Sequence, residues 1–210
     1  MNRYLQTIRE PAGSPSAERK ILASVSVILL GFFLGVFQKW LDSSAVNDLP
    51  QVFQRLDITN FFGRFAVWIL LAVVISVYDS TPVRASVNTF LFFISMVSGY
   101  YLYCAAILGF FPRSYAMIWI GLSFVSPIFA YVCWYAKGKG LPAIILSALI
   151  LGVLFAQAVF LTQGLRVAHV PEVILWAAAL ILLRREPKEF TLVIGLSLVA
   201  ALAYQLIFPY

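Results

Sequence analysis

Long apolar runs alternate with short polar connections along the whole chain, at residues 21–41, 61–78, 85–111, 114–135, 142–162, 170–183 and 190–208. None of them alternates apolar with polar residues as a barrel strand would. A chain in lipid must satisfy its own backbone hydrogen bonds, so each run predicts a helix. The sixth is the short one: its 14 residues rise only about 21 Å at 1.5 Å per residue, against a hydrocarbon core of roughly 30 Å.

Composition agrees with the pattern. Of 210 residues, 62% are hydrophobic and 11% charged, where an average soluble domain has roughly 45–50% and about 25%. So much apolar sequence in so short a chain leaves no room for a soluble catalytic domain. The expected fold is an all-α integral membrane bundle. Residues 1–20 form a cytoplasmic N-terminal segment and residues 21–210 a single transmembrane domain. The first twenty residues are too long and too acidic for the n-region of a signal peptide, and no small-residue cleavage site follows the first run, which is therefore read as a span.

The net charge of +6 is topological in this reading. No basic run with interleaved aromatics appears, so nucleic acid is not an expected partner. With the N-terminus inside, ten of the fifteen cations, among them Arg9, Arg84, Lys137, Lys139 and Arg185, fall in inner segments. If the sixth run failed to cross, "RREPKE" would move outside and the bias would vanish. The expectation is seven spans with the C-terminus outside, six being the alternative. Trp40, Tyr78, Trp134 and Tyr135 stand at span ends, where interfacial aromatics belong. Gly31 with Gly35, Ser95 with Gly99 and Ala105 with Gly109 are small-residue pairs that let helices approach. Pro127 predicts a kink in the fourth span.

Sites are few. One histidine, His169, builds no histidine-based metal site by itself, and its nearest acid, Glu172, lacks the HExxH spacing. Cys104 and Cys133 lie inside apolar runs, which argues against a thiolate site. The "KGKG" connection lacks the spacing of a phosphate-binding loop. No cofactor, metal or catalytic residue is expected, and an enzyme is not the favoured class.

Two polar constellations remain. Asp57, Asn60 and Arg64 recur at i, i+3 and i+7 and would share one face if the second helix began near Asp57. Arg64 is either an interfacial anchor that snorkels to the headgroups or an inward-facing cation that needs a partner or ligand. Tyr103 and Glu172 are the expected partners. In the inner connection "YDSTPVRASVN", Asp79 and Ser80 precede a turn, Ser80 or Thr81 is a candidate cap, and Arg84 and Asn88 lie at i, i+4. Tyr100 and Tyr103 share a face of the third span at a depth where hydroxyls need partners.

The stretch "NFFGRFAVWILLAVVISVYDSTPVRASVNTFLFFISMVSGYYLYCAAILGFFPRSYAMIW" and the later "SPIFAYVCWYAKGKG" resemble an uncharacterised family of small bacterial multi-span membrane proteins. The resemblance implies a bacterial cytoplasmic membrane and carries no site. The expected function is recognition or passage of a small polar or anionic solute through an outward-facing pocket lined by Asn60, Arg64, Tyr100 and Tyr103, with Asp57 and Glu172 as charge partners. A substrate-capture subunit of a transporter would fit. The alternatives are a structural or regulatory subunit that binds another membrane protein, and a lipid-active membrane enzyme.

Overall fold

A computed structural model of the chain describes residues 3–11, 13, 15–162 and 164–208. The fold is all-α. Its helices are α1 (Arg3–Ile8), α2 (Ala17–Ser43), α3 (Gln51–Arg55), α4 (Ile58–Gly63), α5 (Phe65–Tyr78), α6 (Pro82–Ala106), α7 (Arg113–Trp134), α8 (Gly140–Ala158), α9 (Val170–Leu182) and α10 (Pro187–Ile207). Every apolar run contains one of the longer helices. Five of these, α2, α6, α7, α8 and α10, are long and apolar enough to cross a bilayer, which marks the chain as a membrane protein.

Two helices fall short of that length, where the sequence flagged only one. The expected short helix is α9, with 13 residues. The other is α5, with 14, because the chain bends at Arg64 between α4 and α5. The fifth run also ends early: Val159–Phe160 pairs antiparallel with Arg166–Val167 as a hairpin, β1 and β2, before α9 starts.

The described residues divide into two compact units. The first comprises Met1–Glu10, Arg64–Val77 and Val132–Tyr210, the second Pro11–Gly63 and Tyr78–Tyr131. In the first unit Leu70, Val73 and Val77 of α5 pack with Ile144, Ala148, Leu151 and Leu154 of α8, with Ala179 of α9 and with Val193 of α10. Gly152 lets α8 lie against α10, since a Cβ there would stand 2.7 Å from Ala200 Cβ and from Ser197 O. Gln205, buried in α10, holds the root of the hairpin: its Nε2 donates to Ala156 O and Val159 O at 2.7 Å each, and its Oε1 accepts from Leu161 N at 2.8 Å.

One end of this unit is closed by arginines donating to helix C-terminal carbonyls, where a cation also meets the negative end of the helix dipole. Arg9 donates to Trp134 O and to Val77 O and lies 4.1 Å over the Trp134 ring. Its burial lowers its pKa from the ordinary arginine value. Arg185 donates to Ala136 O, to Gly138 O and to Ser147 Oγ, and Lys139 N donates to Ile8 O at 2.7 Å. Two expectations need correction here. Trp134 and Tyr135 are 0% and 4% exposed, so they are packing residues, Trp134 beneath the Arg9 guanidinium, and not interfacial anchors; Tyr78, at 68%, is placed as an anchor would be. Arg9 and Arg185 are helix clamps.

The second unit is built on α2 and α6. Gly31 lies against Phe92 O and Ser95, Gly35 against Met96 O, and Gly99 against Phe32 O, each so closely that a Cβ would collide with backbone. Gly31 with Gly35 and Ser95 with Gly99 are therefore used between α2 and α6, whereas Gly109 lies beyond the end of α6 with φ 71° and nothing within 4 Å of a Cβ, so Ala105 with Gly109 is not a packing pair. The proline of α7 is accommodated locally. Pro127 has no N–H for Ser123 O, and Ser126 Oγ donates to that carbonyl at 2.8 Å, while Ser86 Oγ of α6 donates to Pro127 O at 2.8 Å.

Candidate functional site

In the first unit, Arg64 sits at the bend that opens α5, and its Nε donates to Glu172 Oε1, 108 residues away. Glu172 stands in the first turn of α9, just after Pro171, where the helix dipole favours an anion and the missing proline N–H costs nothing. Its carboxylate is 0% exposed, while the Arg64 side chain is 22% exposed. Breaking such a buried pair by removing one partner typically costs about 3–5 kcal/mol, because the remaining charge is stranded.

The balance of hydrogen bonds around Glu172 is incomplete. Its Oε2 is buried and has no partner among the described residues, and the same holds for Gln157 Nε2 and Trp176 Nε1. Gln157 lies in the last turn of α8 and Trp176 one turn beyond Glu172 on α9. The Trp176 ring stands 4.9 Å from that of Phe155. Each buried polar atom without a partner costs about 1–3 kcal/mol. Gln157 and Trp176 were missed from the sequence, although each is a lone polar group in an apolar run and so a candidate for a partner.

The expected column of Asp57, Asn60 and Arg64 is not one helical face. Asp57 has φ 51° and precedes α4, α4 ends at Gly63, and Arg64 opens the next helix. Asn60 Nδ2 donates to Asp57 Oδ1 at 2.7 Å, and both residues are exposed. Tyr100 donates to Asp42 Oδ2 of α2 at 2.7 Å, with Lys39 Nζ 5.1 Å from its ring centroid. Tyr103 is half-buried. Asp57, Asn60, Tyr100 and Tyr103 belong to the second unit, Arg64 and Glu172 to the first. Asp42 was legible in principle: Lys39 and Asp42 lie at i, i+3 at the end of α2.

The turn between α5 and α6, in the second unit, forms a closed network. Asp79 Oδ1 accepts from Ser80 N at 2.8 Å and Arg84 Nε at 3.1 Å, and Asp79 Oδ2 accepts from Asn88 Nδ2. Asn88 Oδ1 accepts from Ser24 Oγ of α2 at 2.7 Å, and Arg84 also donates to Lys20 O at 3.2 Å. Thr81 is the cap of α6, accepting from Arg84 N at 3.2 Å. This is a helix clamp whose polar atoms are used on one another.

No family model, curated protein or solved structure matches the chain, so the bacterial family suggested by "NFFGRF" and "WYAKGKG" finds no support there.

Proposed function

We propose that the protein crosses a bacterial cytoplasmic membrane seven times, N-terminus inside, and recognises a small polar or anionic solute from the outer side at the Arg64–Glu172 end of its first unit, as a substrate-capture subunit does. Three contacts support the span count by parity. Arg9 donates to Val77 O, so the N-terminal segment and the end of α5 lie on one side. Since α2 crosses between them, α5 crosses back. Arg185 donates to Ala136 O and Gly138 O, so α9 returns what α8 carries across. Lys139 N on Ile8 O joins these ends on the same face.

The observation that carries the functional reading is that both short helices start at the same buried ion pair. With their other ends held at the inner face, 14 and 13 residues rise only about 20 Å, which leaves the pair roughly 10 Å below the outer edge of a 30 Å core. Broken or shortened helices whose N-termini meet at membrane depth are where solute sites form, since irregular backbone there must be buried in protein or line a polar cavity. The small-residue faces that would favour a partner-binding subunit are, at Gly31, Gly35 and Gly99, already used between α2 and α6.

Thermal melting of the purified protein against a panel of small neutral and anionic solutes tests the reading. At least one solute should raise the melting temperature of the parent and not of Arg64→Lys, because a lysine keeps the charge and loses the planar fork. A panel that shifts parent and variant alike removes the site. Cysteines placed at Ser80 and Glu186 should label only from the cytoplasmic side, and labelling of either from outside removes the seven-span count.

A further inference from the structure

Arg185 draws two connections of the first unit together. It stands in the turn between α9 and α10 and donates to Ala136 O and to Gly138 O in the turn before α8. Residues 137–139 and 184–189 hold five cations and two acids, and one of those acids, Glu189, is taken by Arg185 at 3.3 Å. Lys139, Arg184 and Lys188 are exposed. Lys139 is the N-cap of α8 and Lys188 lies in the first turn of α10, at the positive ends of both helices, where a cation is unfavourable. The first turn of α8 contains no acid and its cap no side-chain hydrogen bond. Both helices are long and apolar enough to cross a bilayer, so this excess of positive charge stands at headgroup level. Beyond Lys139 the exposed face of α8 is apolar: Leu141, Ile145 and Leu149 recur at i, i+4 and i+8, on one face, and are 60%, 43% and 50% exposed. That track is bounded, because Gly152, seven residues after Ile145 and on the same face, lies against Ser197 and Ala200 of α10. At the other end of α8, residues 159–172 hold a single arginine and no lysine, and that Arg166 lies 4.9 Å over the Phe160 ring.

We infer that Lys139, Arg184 and Lys188 form a docking site for the headgroup of an anionic phospholipid, with one acyl chain lying along Leu141, Ile145 and Leu149. Such a lipid matches both halves of the surface. Its phosphate accepts charge-assisted hydrogen bonds from the ammonium and guanidinium groups, and its negative charge offsets the cations at the two helix N-termini. Its chain covers the exposed track on α8. A soluble anion matches only the first half, and a zwitterionic lipid brings a cation of its own to a surface that already has an excess. The inference goes beyond solute recognition and is independent of it, since it uses neither Arg64 nor Glu172.

The test is native mass spectrometry of the detergent-purified full chain titrated with phosphatidylglycerol and, separately, with phosphatidylcholine of the same acyl chains. The parent should bind phosphatidylglycerol more tightly than phosphatidylcholine. Lys139→Gln with Lys188→Gln should weaken phosphatidylglycerol binding by about five- to thirtyfold, the worth of one to two cations near an anionic headgroup, and leave phosphatidylcholine binding unchanged. Arg55→Gln with Arg113→Gln removes the same charge from exposed connections of the second unit and should leave both lipids bound as in the parent. Glycerol 3-phosphate, which has the anion without the chains, should not displace phosphatidylglycerol at equal concentration. A parent that binds the two lipids alike, or an equal loss in both double variants, overturns the site. Displacement by glycerol 3-phosphate at equal concentration overturns the lipid as its occupant.

Discussion

The two units each contain one buried acid held by an arginine, and they treat it in opposite ways. In the second unit Asp79 accepts from Ser80, Arg84 and Asn88, and Asn88 passes the chain of bonds to Ser24 on α2. In the first, Glu172 gives one oxygen to Arg64, and the other has no partner among the described residues, as is true of Gln157 Nε2 and Trp176 Nε1. A fully satisfied polar network stiffens a helix pair and specifies its register; a partly satisfied one lowers stability without structural return. The Asp79 carboxylate is fully engaged and the Glu172 carboxylate only half so, and that difference between the two acids, not the presence of charge, singles out Glu172.

The comparison is broken most forcefully at Arg64. Arg64→Ala strands a fully buried carboxylate and should cost about 3–5 kcal/mol, whereas replacing both partners, Arg64→Met with Glu172→Leu, should recover most of that loss, as apolar substitutes for buried pairs commonly do. Chemical unfolding in mixed micelles measures both. A double variant as unstable as the single would make the pair a structural element like the Asp79 network.

Next in size is Asn88. Asn88→Leu removes the bridge between Ser24 and Asp79 and leaves both short of a partner, a loss of about 2–3 kcal/mol, read by the same unfolding experiment. Gln157→Leu, the same change of polarity in the other unit, should stabilise by about 1 kcal/mol. Equal signs for the two substitutions would erase the distinction drawn between the units.

The smallest effect belongs to Arg84→Lys. A lysine keeps a charge beside Asp79 but cannot also hold Lys20 O in the same plane, so about 1 kcal/mol should be lost with no change in the solute response. A solute-dependent shift that depends on Arg84 would move the site to the turn between α5 and α6.

Much of the fold was readable because hydropathy is a local property. The runs at 21–41, 114–135 and 190–208 became α2, α7 and α10 within a few residues at each end, and Thr81 caps α6 as "STP" suggests. Pro82, Pro171 and Pro187 stand at the first or second position of α6, α9 and α10, where the fixed φ and missing N–H of proline need no tertiary partner. Glu172 was one of two partners expected for an inward-facing Arg64, Tyr103 being the other, and Glu172 is the one it meets.

The column through Asp57 and Asn60 was misread, since the sequence does not mark where α4 stops and α5 begins. That bend falls within one apolar stretch, at the arginine whose partner Glu172 lies 108 residues along the chain. Arg9 and Arg185 look like any other cations of the polar connections until the C-termini of α5 and α7 are brought to the first and the turn after α7 to the second.

By itself, then, the sequence determined that this is a helical membrane protein with seven apolar segments separated by short polar connections that hold most of the positive charge. Those properties depend on the transfer of each segment from water to lipid and are nearly additive along the chain. Tertiary structure alone decided which polar groups were satisfied. Asn88 and Gln157 are both lone amides on apolar helices, and one is closed between Ser24 and Asp79 while the other keeps a buried donor unspent. Hydrogen-bond satisfaction depends on atoms from several helices meeting within about 3 Å, a property of their packing that no single segment carries.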